Sequence, residues 1–254
     1  MIQIWDAHCH RSLVDSEPIS LGSHCFSICG AIVNATKPAD WPKLPLRSDR
    51  VDDRTIIHLA GLHPWFIAAS RELPWRDSLR DLLDQGLGGI GEVGLDGGRV
   101  KRAAGFTEQV SVFQWQLQLA AKYELPVSIH AVQANGILLA ALKGVRLPER
   151  GIHLHDIHGP QALIRQIQQL SDVWFSYGPR LLLAANADWP EQVLRGIPED
   201  RLMFETDCQA GEVDLASDAK FPLALLRLAE LRKLPIAELV SNLTDNTRSY
   251  FLGR

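Results

Sequence analysis

The chain lacks several features that would settle its class at once. Its first residues, Met-Ile-Gln-Ile-Trp-Asp-Ala-His, have no basic start followed by a long apolar run, so they do not read as a secretory signal. No 18-residue apolar stretch occurs anywhere, which excludes a membrane-spanning helix, and the expectation is a cytoplasmic protein with no membrane partner. There is no C-x-x-C pair among Cys9, Cys25, Cys29 and Cys208, and the Cys25/Cys29 spacing fits no zinc knuckle. Free or buried thiols are therefore expected. Excess positive charge is also missing: the net charge is -4, so any nucleic-acid contact has to come from a local patch instead of a global field. There is no low-complexity tract and no internal repeat beyond an alternation of short and long segments.

That alternation is what the sequence does have. Short apolar runs separated by longer helical patterns are the mark of repeated βα units closing a parallel sheet. A length of 254 residues, 46% of them hydrophobic, suits one α/β domain spanning 1–254, a TIM-like (β/α)8 barrel. Eight strands are predicted, at Gln3 to Asp6, Ser27 to Val33, Thr55 to Gly61, Gly89 to Val93, Pro126 to His130, Gly151 to His155, Val173 to Tyr177 and Arg201 to Glu205. Phe106, Val110, Phe113, Leu117 and Ala121 recur at helical spacing, and Thr107 is the expected N-cap of that helix. Further helices are predicted after Pro160 and over Ala134 to Leu142, Trp189 to Arg195, Pro222 to Arg232 and Ile236 to Leu243. The proline- and charge-rich stretch from Asn34 to Asp53 reads as an irregular excursion in place of a helix.

Six residues of ligand type, His8, His10, Glu92, His130, His155 and Asp207, fall near the C-terminal ends of these predicted strands. Imidazoles and carboxylates together suit zinc, manganese or magnesium. In Asp6-Ala-His8-Cys-His10 the strand alternation sends both histidines the same way and Cys9 the other, so two imidazoles can hold one cation. An isolated H-x-H is equally readable as a pair of core or solvent-facing histidines; the further acids and histidines at later strand ends are what point to a metal. The run Gly89-Ile-Gly-Glu92-Val-Gly-Leu-Asp96 packs closely by its glycines and delivers Glu92, whose two oxygens can bridge two ions, while Asp96 either caps the loop or orients another group. His130 closes an apolar strand. Of the pair His153 and His155, which share a face, His155 lies nearer the rim and is the expected ligand; His153 reads as an interior residue and His158 as a loop residue able to touch substrate. Asp207 can complete a cation's shell and accept a proton from water, with Glu205 one layer deeper.

With D-A-H-C-H, G-L-H-P-W from Gly61, G-E-V-G-L-D from Gly91, L-P-V-S-I-H ending at His130, H-D-I-H-G from His155 and E-T-D from Glu205 in this order, the chain resembles the TatD family of metal-dependent hydrolases, in the amidohydrolase-like barrel group. The resemblance runs from Asp6 to Asp207 and weakly on to Asn246. It implies two divalent ions, one held by His8, His10, Glu92 and Asp207, the other by Glu92, His130 and His155. It also implies phosphodiester hydrolysis, often as a deoxyribonuclease, with Glu92 and Asp207 catalytic, Asp207 as the base, and His63 facing phosphate or supporting a ligand; His63 is as readable as a structural turn histidine.

The departures from the pattern concern substrate. The arginine usual two residues after the fifth-strand histidine is absent from Ala131-Val132-Gln133, Asp156-Ile157-His158 replaces cysteine, aromatic and serine, and Arg11-Ser12 follows the first motif. Arg11, Arg99, Lys101 and Arg102 are the expected compensating cations, Arg99 in particular as a substrate contact. Nucleic acid or another phosphodiester is the expected substrate. A metal-dependent ester or amide hydrolase, such as a D-aminoacyl-tRNA deacylase, and a non-catalytic metal-bound subunit are the alternatives.

Overall fold

The computed structural model describes residues 1–46, 49–51, 54–98, 104–183, 189–209 and 220–253. Arg99, Lys101 and Arg102, expected above as substrate contacts, lie outside the described residues. The strands are β1 (Ile2–Cys9), β2 (Ile19–Leu21), β3 (His24–Ala35), β4 (Asp49–Val51), β5 (Arg54–Ala60), β6 (Ile90–Asp96), β7 (Val127–Val132), β8 (Ile152–His155), β9 (Val173–Tyr177) and β10 (Leu202–Phe204). They form one sheet in which β1, β3, β5, β6, β7, β8, β9 and β10 follow one another, every neighbouring pair parallel. The short β2 and β4 pair antiparallel with β3 and β5 and were not foreseen from sequence.

The barrel is closed at its C-terminal rim by polar contacts between the first and last strands. Asp207 N–H donates to His8 O at 3.0 Å and His10 N–H to Cys208 O at 2.8 Å. The fully buried Asp6 carboxylate accepts from Thr206 N–H at 2.9 Å and from Thr206 Oγ1 at 2.5 Å. Burial pushes the Asp6 carboxyl up to about 7, against the hydrogen bonds from Thr206 and His8 N–H.

The helices are α1 (Trp75–Asp84), α2 (Phe106–Tyr123), α3 (Asn135–Lys143), α4 (Gln161–Gln168), α5 (Arg180–Leu183), α6 (Trp189–Leu194), α7 (Phe221–Arg232) and α8 (Ile236–Leu252). Two of the predicted helices depart from expectation, and α1 and α5 were not predicted. Helix α2 is capped by Gly105, not Thr107, which lies inside the first turn. Its anchor is the buried Gln109, whose Nε2 donates to Ala104 O at 2.9 Å and Asp96 O at 3.1 Å while its Oε1 accepts from Asp96 N–H at 2.9 Å. Two turns on, buried Gln116 does the same for the loop after β5, accepting from Leu62 N–H at 2.8 Å and donating to Leu62 O at 3.2 Å. Amide side chains can satisfy a backbone donor and acceptor together, so this helix clamps the two loops that carry Asp96 and His63.

Helix α8 runs nine residues beyond the Leu243 expected as its end. Its buried face continues through Thr247, Tyr250 and Phe251, and the polar sequence that hid this is neutralised because Thr247 Oγ1 donates to Leu243 O at 2.8 Å. Helix α1 was missed because its apolar face is only Trp75, Leu79 and Leu83 among charged residues. Among the described residues, the excursion after β3 is irregular as expected, apart from a turn of 3-10 helix (Trp41–Lys43) and β4.

At the opposite end of the barrel from the ligand-type residues, Tyr250 of α8 ties strands to helix. Its hydroxyl accepts from Val127 N–H at 2.9 Å and donates to Val127 O at 3.0 Å, with Gly151 O 3.3 Å away. Tyr250→Phe keeps the ring and removes the bonds, leaving buried backbone groups unpaired. The expected loss is about 1–3 kcal/mol, a fall in Tm of several degrees for a domain of this size; a thermal melt within one degree of wild type would show that water or a shift of the strand replaces the hydroxyl.

Candidate metal centre

The described residues contain no helix long and apolar enough to cross a membrane, and the polar residues collect instead inside the rim of the barrel. All six residues expected as ligands, together with His63, converge there on one carboxylate. Glu92 projects from the middle of β6, where Gly94 at φ 145° lets the strand lie against β7; a Cβ on Gly94 would stand 2.0 Å from His130 O. Glu92 Oε2 faces one pair of imidazoles, His10 Nε2 at 3.2 Å and His8 Nε2 at 3.9 Å. Glu92 Oε1 faces the other side, His155 Nε2 at 2.8 Å, His130 Nδ1 at 2.9 Å and His63 Nε2 at 3.6 Å. Asp207 Oδ1 closes the first group, 3.5 Å from His10 Nε2 and 3.9 Å from His8 Nε2. Its backbone sits at φ 52°, the left-handed region, because the chain must turn back toward β1 immediately after β10.

The outer nitrogens of these rings are fastened in ways that aim the inner ones. His10 Nδ1 lies 2.8 Å from Asn34 O, a carbonyl that can only accept, so Nδ1 carries a proton and Nε2 is the nitrogen turned toward Glu92 and Asp207. His130 Nε2 is 3.2 Å from Asp96 Oδ2, which likewise leaves Nδ1 for Glu92. Asp96 is itself fixed by Trp65 Nε1–H at 2.7 Å and Gly98 N–H at 2.6 Å. Burial would raise the Asp96 carboxyl, but these hydrogen bonds hold it below the usual carboxylate range. Both roles left open for Asp96 are realised: its Oδ2 orients His130, and its Oδ1 caps the loop by accepting from Gly98 N–H.

Beneath the centre a buried polar chain joins the two ligand groups. His8 Nδ1 is 2.9 Å from Ser128 Oγ, Ser128 Oγ is 3.2 Å from His153 Nδ1, and His153 Nε2 is 2.6 Å from Ser176 Oγ. Ser176 then bonds Glu205, whose Oε1 stands 3.6 Å from His155 Nδ1. His153 is thus the interior residue expected, and Glu205 supports the centre from one layer down. Sequence alone gave no signal for Ser128, Ser176 or Asn34, since small polar residues in strands are ordinary.

The electrostatics show what the cluster requires. Burial drives His8 and His153 well below the ordinary histidine range, and His63 down to about 3, so these rings are neutral. Burial pulls His10, His130 and His155 the same way, but in each it is outweighed by hydrogen bonds and nearby carboxylates, chiefly Glu92, and His10 is raised to about 9. Glu92, which burial would raise, is held well below its usual range by its interactions with His63 and His155 and the hydrogen bonds of His10 and His130. Burial raises Asp207, with the charges of His155 and His10 opposing. The carboxylates here demand positive charge in a small volume. His8 Nε2, which has no hydrogen-bond partner although it is buried, points into that volume. The donor set therefore fits divalent cations, which replace protons on the inner nitrogens. Two groups of three ligand atoms lie within reach of a common ion, His8, His10 and Glu92, and His63, Glu92 and His130. The second brings in His63, so this residue does not merely shape a turn: it is 3% exposed, its Nδ1 accepts from Trp65 N–H at 3.2 Å, and its Nε2 faces Glu92.

His158 is placed differently. It stands at the rim with its Nε2 3.2 Å from Asp156 Oδ1.

Ser128→Ala removes the link between His8 and His153 and frees both rings to turn. Partners of this kind are worth 10- to 100-fold in metal affinity, so a calorimetric titration with Mn2+ is expected to show weakening of about that size, alongside a loss of about 1–3 kcal/mol in the metal-free protein from the two buried ring nitrogens left unpaired. Unchanged affinity would mean that packing alone orients His8.

Comparison with known proteins agrees with this geometry. The family described as TatD related DNase matches residues 5–252. A Bacillus subtilis protein named as the metal-dependent hydrolase YabD is 27% identical over 84% of this chain and 84% of its own length. The human 3'-5' RNA nuclease TATDN2 is 29% identical over 80% of this chain, which corresponds to only 28% of that longer protein. Among solved structures, the TatD homologue YjjV of Escherichia coli superposes with a TM-score of 0.70, covering 89% of this chain and 87% of that one at 24% identity, and so shares its fold. A match over nearly the whole length, on a barrel built as that family builds it, means that this chain belongs to the TatD related DNase family.

Proposed function

We propose that the protein is a divalent-metal-dependent hydrolase of phosphodiester bonds, most simply a deoxyribonuclease of the TatD kind. The observation that carries this reading is the position of Glu92, one oxygen toward His8 and His10, the other toward His130, His155 and His63. A carboxylate so placed suits a pair of ions, zinc, manganese or magnesium, with His8, His10, Glu92 and Asp207 holding one and Glu92, His130 and His155 the other, His63 beside the second. When bound, such a pair lowers the pKa of water and neutralises charge on phosphate oxygens.

The chain's own groups supply the rest. Asn34 O and Asp96 keep the His10 and His130 rings in the tautomers that leave their inner lone pairs free. Asp207 is the ligand-type carboxylate most open to solvent, its side chain 27% exposed against 3% for Glu92, so it is the group that can take a proton from an attacking water. Trp65 stands 39% exposed at the mouth with its ring edge-on to His63, at 5.0 Å between centroids, and walls that side of the site.

The test is hydrolysis by metal-reconstituted protein of single-stranded DNA, single-stranded RNA, bis(p-nitrophenyl) phosphate and D-aminoacyl-tRNA, with His130→Ala alongside. Cleavage of the DNA or the small phosphodiester that depends on metal and is lost in the variant is the expected result. Turnover of D-aminoacyl-tRNA alone would assign the same centre to carboxylic esters, and metal binding with no turnover of any substrate would make it a structural site.

A further inference from the structure

One charged pair at the rim has no part in the chemistry above. Asp156 follows the ligand-type residue His155 directly, at φ 40°, a conformation costly for a residue with a side chain. Its carboxylate is buried, and it ion-pairs with Arg180, Nη1 to Oδ2 at 2.6 Å. The pair is not needed to fasten the loop after β8: Asp156 N–H already donates to Ser176 O at 3.0 Å, and Tyr177 Oη donates to Ile157 O at 2.9 Å. What the buried carboxylate does is hold one corner of a guanidinium whose side chain remains 51% exposed.

Arg180 opens α5, directly after β9, and β9 lies between β8 and β10 in the sheet. The guanidinium thus stands on the rim between His155 and Asp207, close enough that the charges of Asp207 and Glu205 act on it. Yet among the described residues its hydrogen bond is to Asp156 alone. An anion received by Arg180 would therefore sit beside the cluster gathered around Glu92, not inside it. A planar guanidinium anchored at one corner presents its remaining N–H groups as a fork that matches phosphate oxygens, with little entropy left to lose.

We propose that Arg180, positioned by Asp156, binds a phosphate adjacent to the one being cleaved, so that the substrate is a nucleic acid with at least two neighbouring phosphates. This rests on the phosphodiesterase reading, and it returns from the start of α5 a positive charge to a chain that has Val132 on β7. Asp156 is a positioning residue in this scheme and Arg180 a substrate-binding one.

The test compares Arg180→Gln, Arg180→Lys and Asp156→Asn with wild type, all loaded with Mn2+. The substrates are a labelled single-stranded oligodeoxynucleotide and bis(p-nitrophenyl) phosphate, which has no flanking phosphate. The quantity read is the ratio of kcat/KM for the two. In Arg180→Gln that ratio is expected to fall at least about tenfold, mostly through KM on the oligonucleotide, and the slope of log(kcat/KM) against log[salt] to lessen by roughly 0.7, the share of one phosphate contact on a single strand. Arg180→Lys, which keeps charge but not the fork, is expected to fall between, and Asp156→Asn to move in the same direction as Arg180→Gln. A ratio and salt slope unchanged in Arg180→Gln, with wild type active on both substrates, overturns the assignment and leaves the hydrolase reading intact. Wild-type protein that retains Mn2+ but cleaves neither substrate overturns both. If Arg180→Gln melts far below wild type, Arg180→Lys carries the decision by the same ratio and slope.

Discussion

Glu92→Gln is expected to abolish hydrolysis to within about one part in a thousand of the wild-type kcat/KM and to leave the protein with one bound metal ion at most. The amide is nearly isosteric with the carboxylate, so packing in the fully buried site is preserved. What changes is that one of its two ends becomes an NH2 group, which has no lone pair to offer. If the nitrogen takes the place of Oε2 it faces His8 and His10; if it takes the place of Oε1 it faces His130, His155 and His63. Either orientation disables one side of the centre, and both lose the negative charge that draws cations there. Removal of transition-state charge stabilisation and of proton-transfer geometry together is worth on the order of 10³ or more in rate. Metal content after dialysis, measured by plasma mass spectrometry, and kcat/KM on an oligonucleotide at saturating Mn2+ give the two readouts. A variant that kept two ions and a tenth of the activity would show that Glu92 is not the shared ligand, and the bridging role proposed for it would fail.

The parts of this molecule that sequence made legible are those governed by period. Two-residue alternation in the first strand sent His8 and His10 to one side and Cys9 to the other, where it is buried, and in β8 it paired His153 with His155. Asp207 reads in the sequence as the residue at the rim of the last strand. Strand β10 ends at Phe204, and Asp207 reaches the centre through a left-handed turn, not as the next residue of a strand. What stayed hidden is held by single hydrogen bonds between segments far apart in the chain. Nothing local distinguishes Ser128 from any serine in a strand, yet it joins His8, 120 residues away, to His153. Gln109 and Gln116 look like the polar face of α2 and are in fact among its most buried residues, because each satisfies a loop's backbone. His63 was legible as a residue of interest but not as a neighbour of Glu92, since its direction depends on the turn begun by Pro64 and on Trp65 N–H holding its Nδ1. Arg180 follows Gly178-Pro179 in a loop that carries no motif, and only the fold places it beside His155 and Asp207.

Asp207→Asn separates binding from chemistry at the same centre. Asp207 Oδ1 stands 3.5 Å from His10 Nε2, and the backbone N–H of this residue closes the barrel on His8 O at 3.0 Å, a bond the side-chain change does not touch. Gln209 Nε2 donates to Asp207 Oδ1 at 3.1 Å, and an asparagine oxygen can keep that bond. The same oxygen can remain a weak metal ligand, whereas the amide cannot receive a proton at neutral pH. The variant is therefore expected to lose about 10²- to 10⁴-fold in kcat, the range for removal of a general base, while its Mn2+ affinity falls by a smaller factor and its melting temperature stays close to wild type. The loss is expected in kcat on bis(p-nitrophenyl) phosphate as well as on DNA, which distinguishes it from Arg180→Gln, whose effect belongs to the longer substrate. Single-turnover rates at saturating metal, set beside a calorimetric metal titration, separate the two contributions. Should the rate recover fully when metal is raised, Asp207 is a ligand and nothing more, and the proton must leave by another group; of the buried carboxylates near His155, Glu205 would then be next, raised to about 8 by burial against the hydrogen bond and charge of His155, and so able to exchange a proton close to neutral pH.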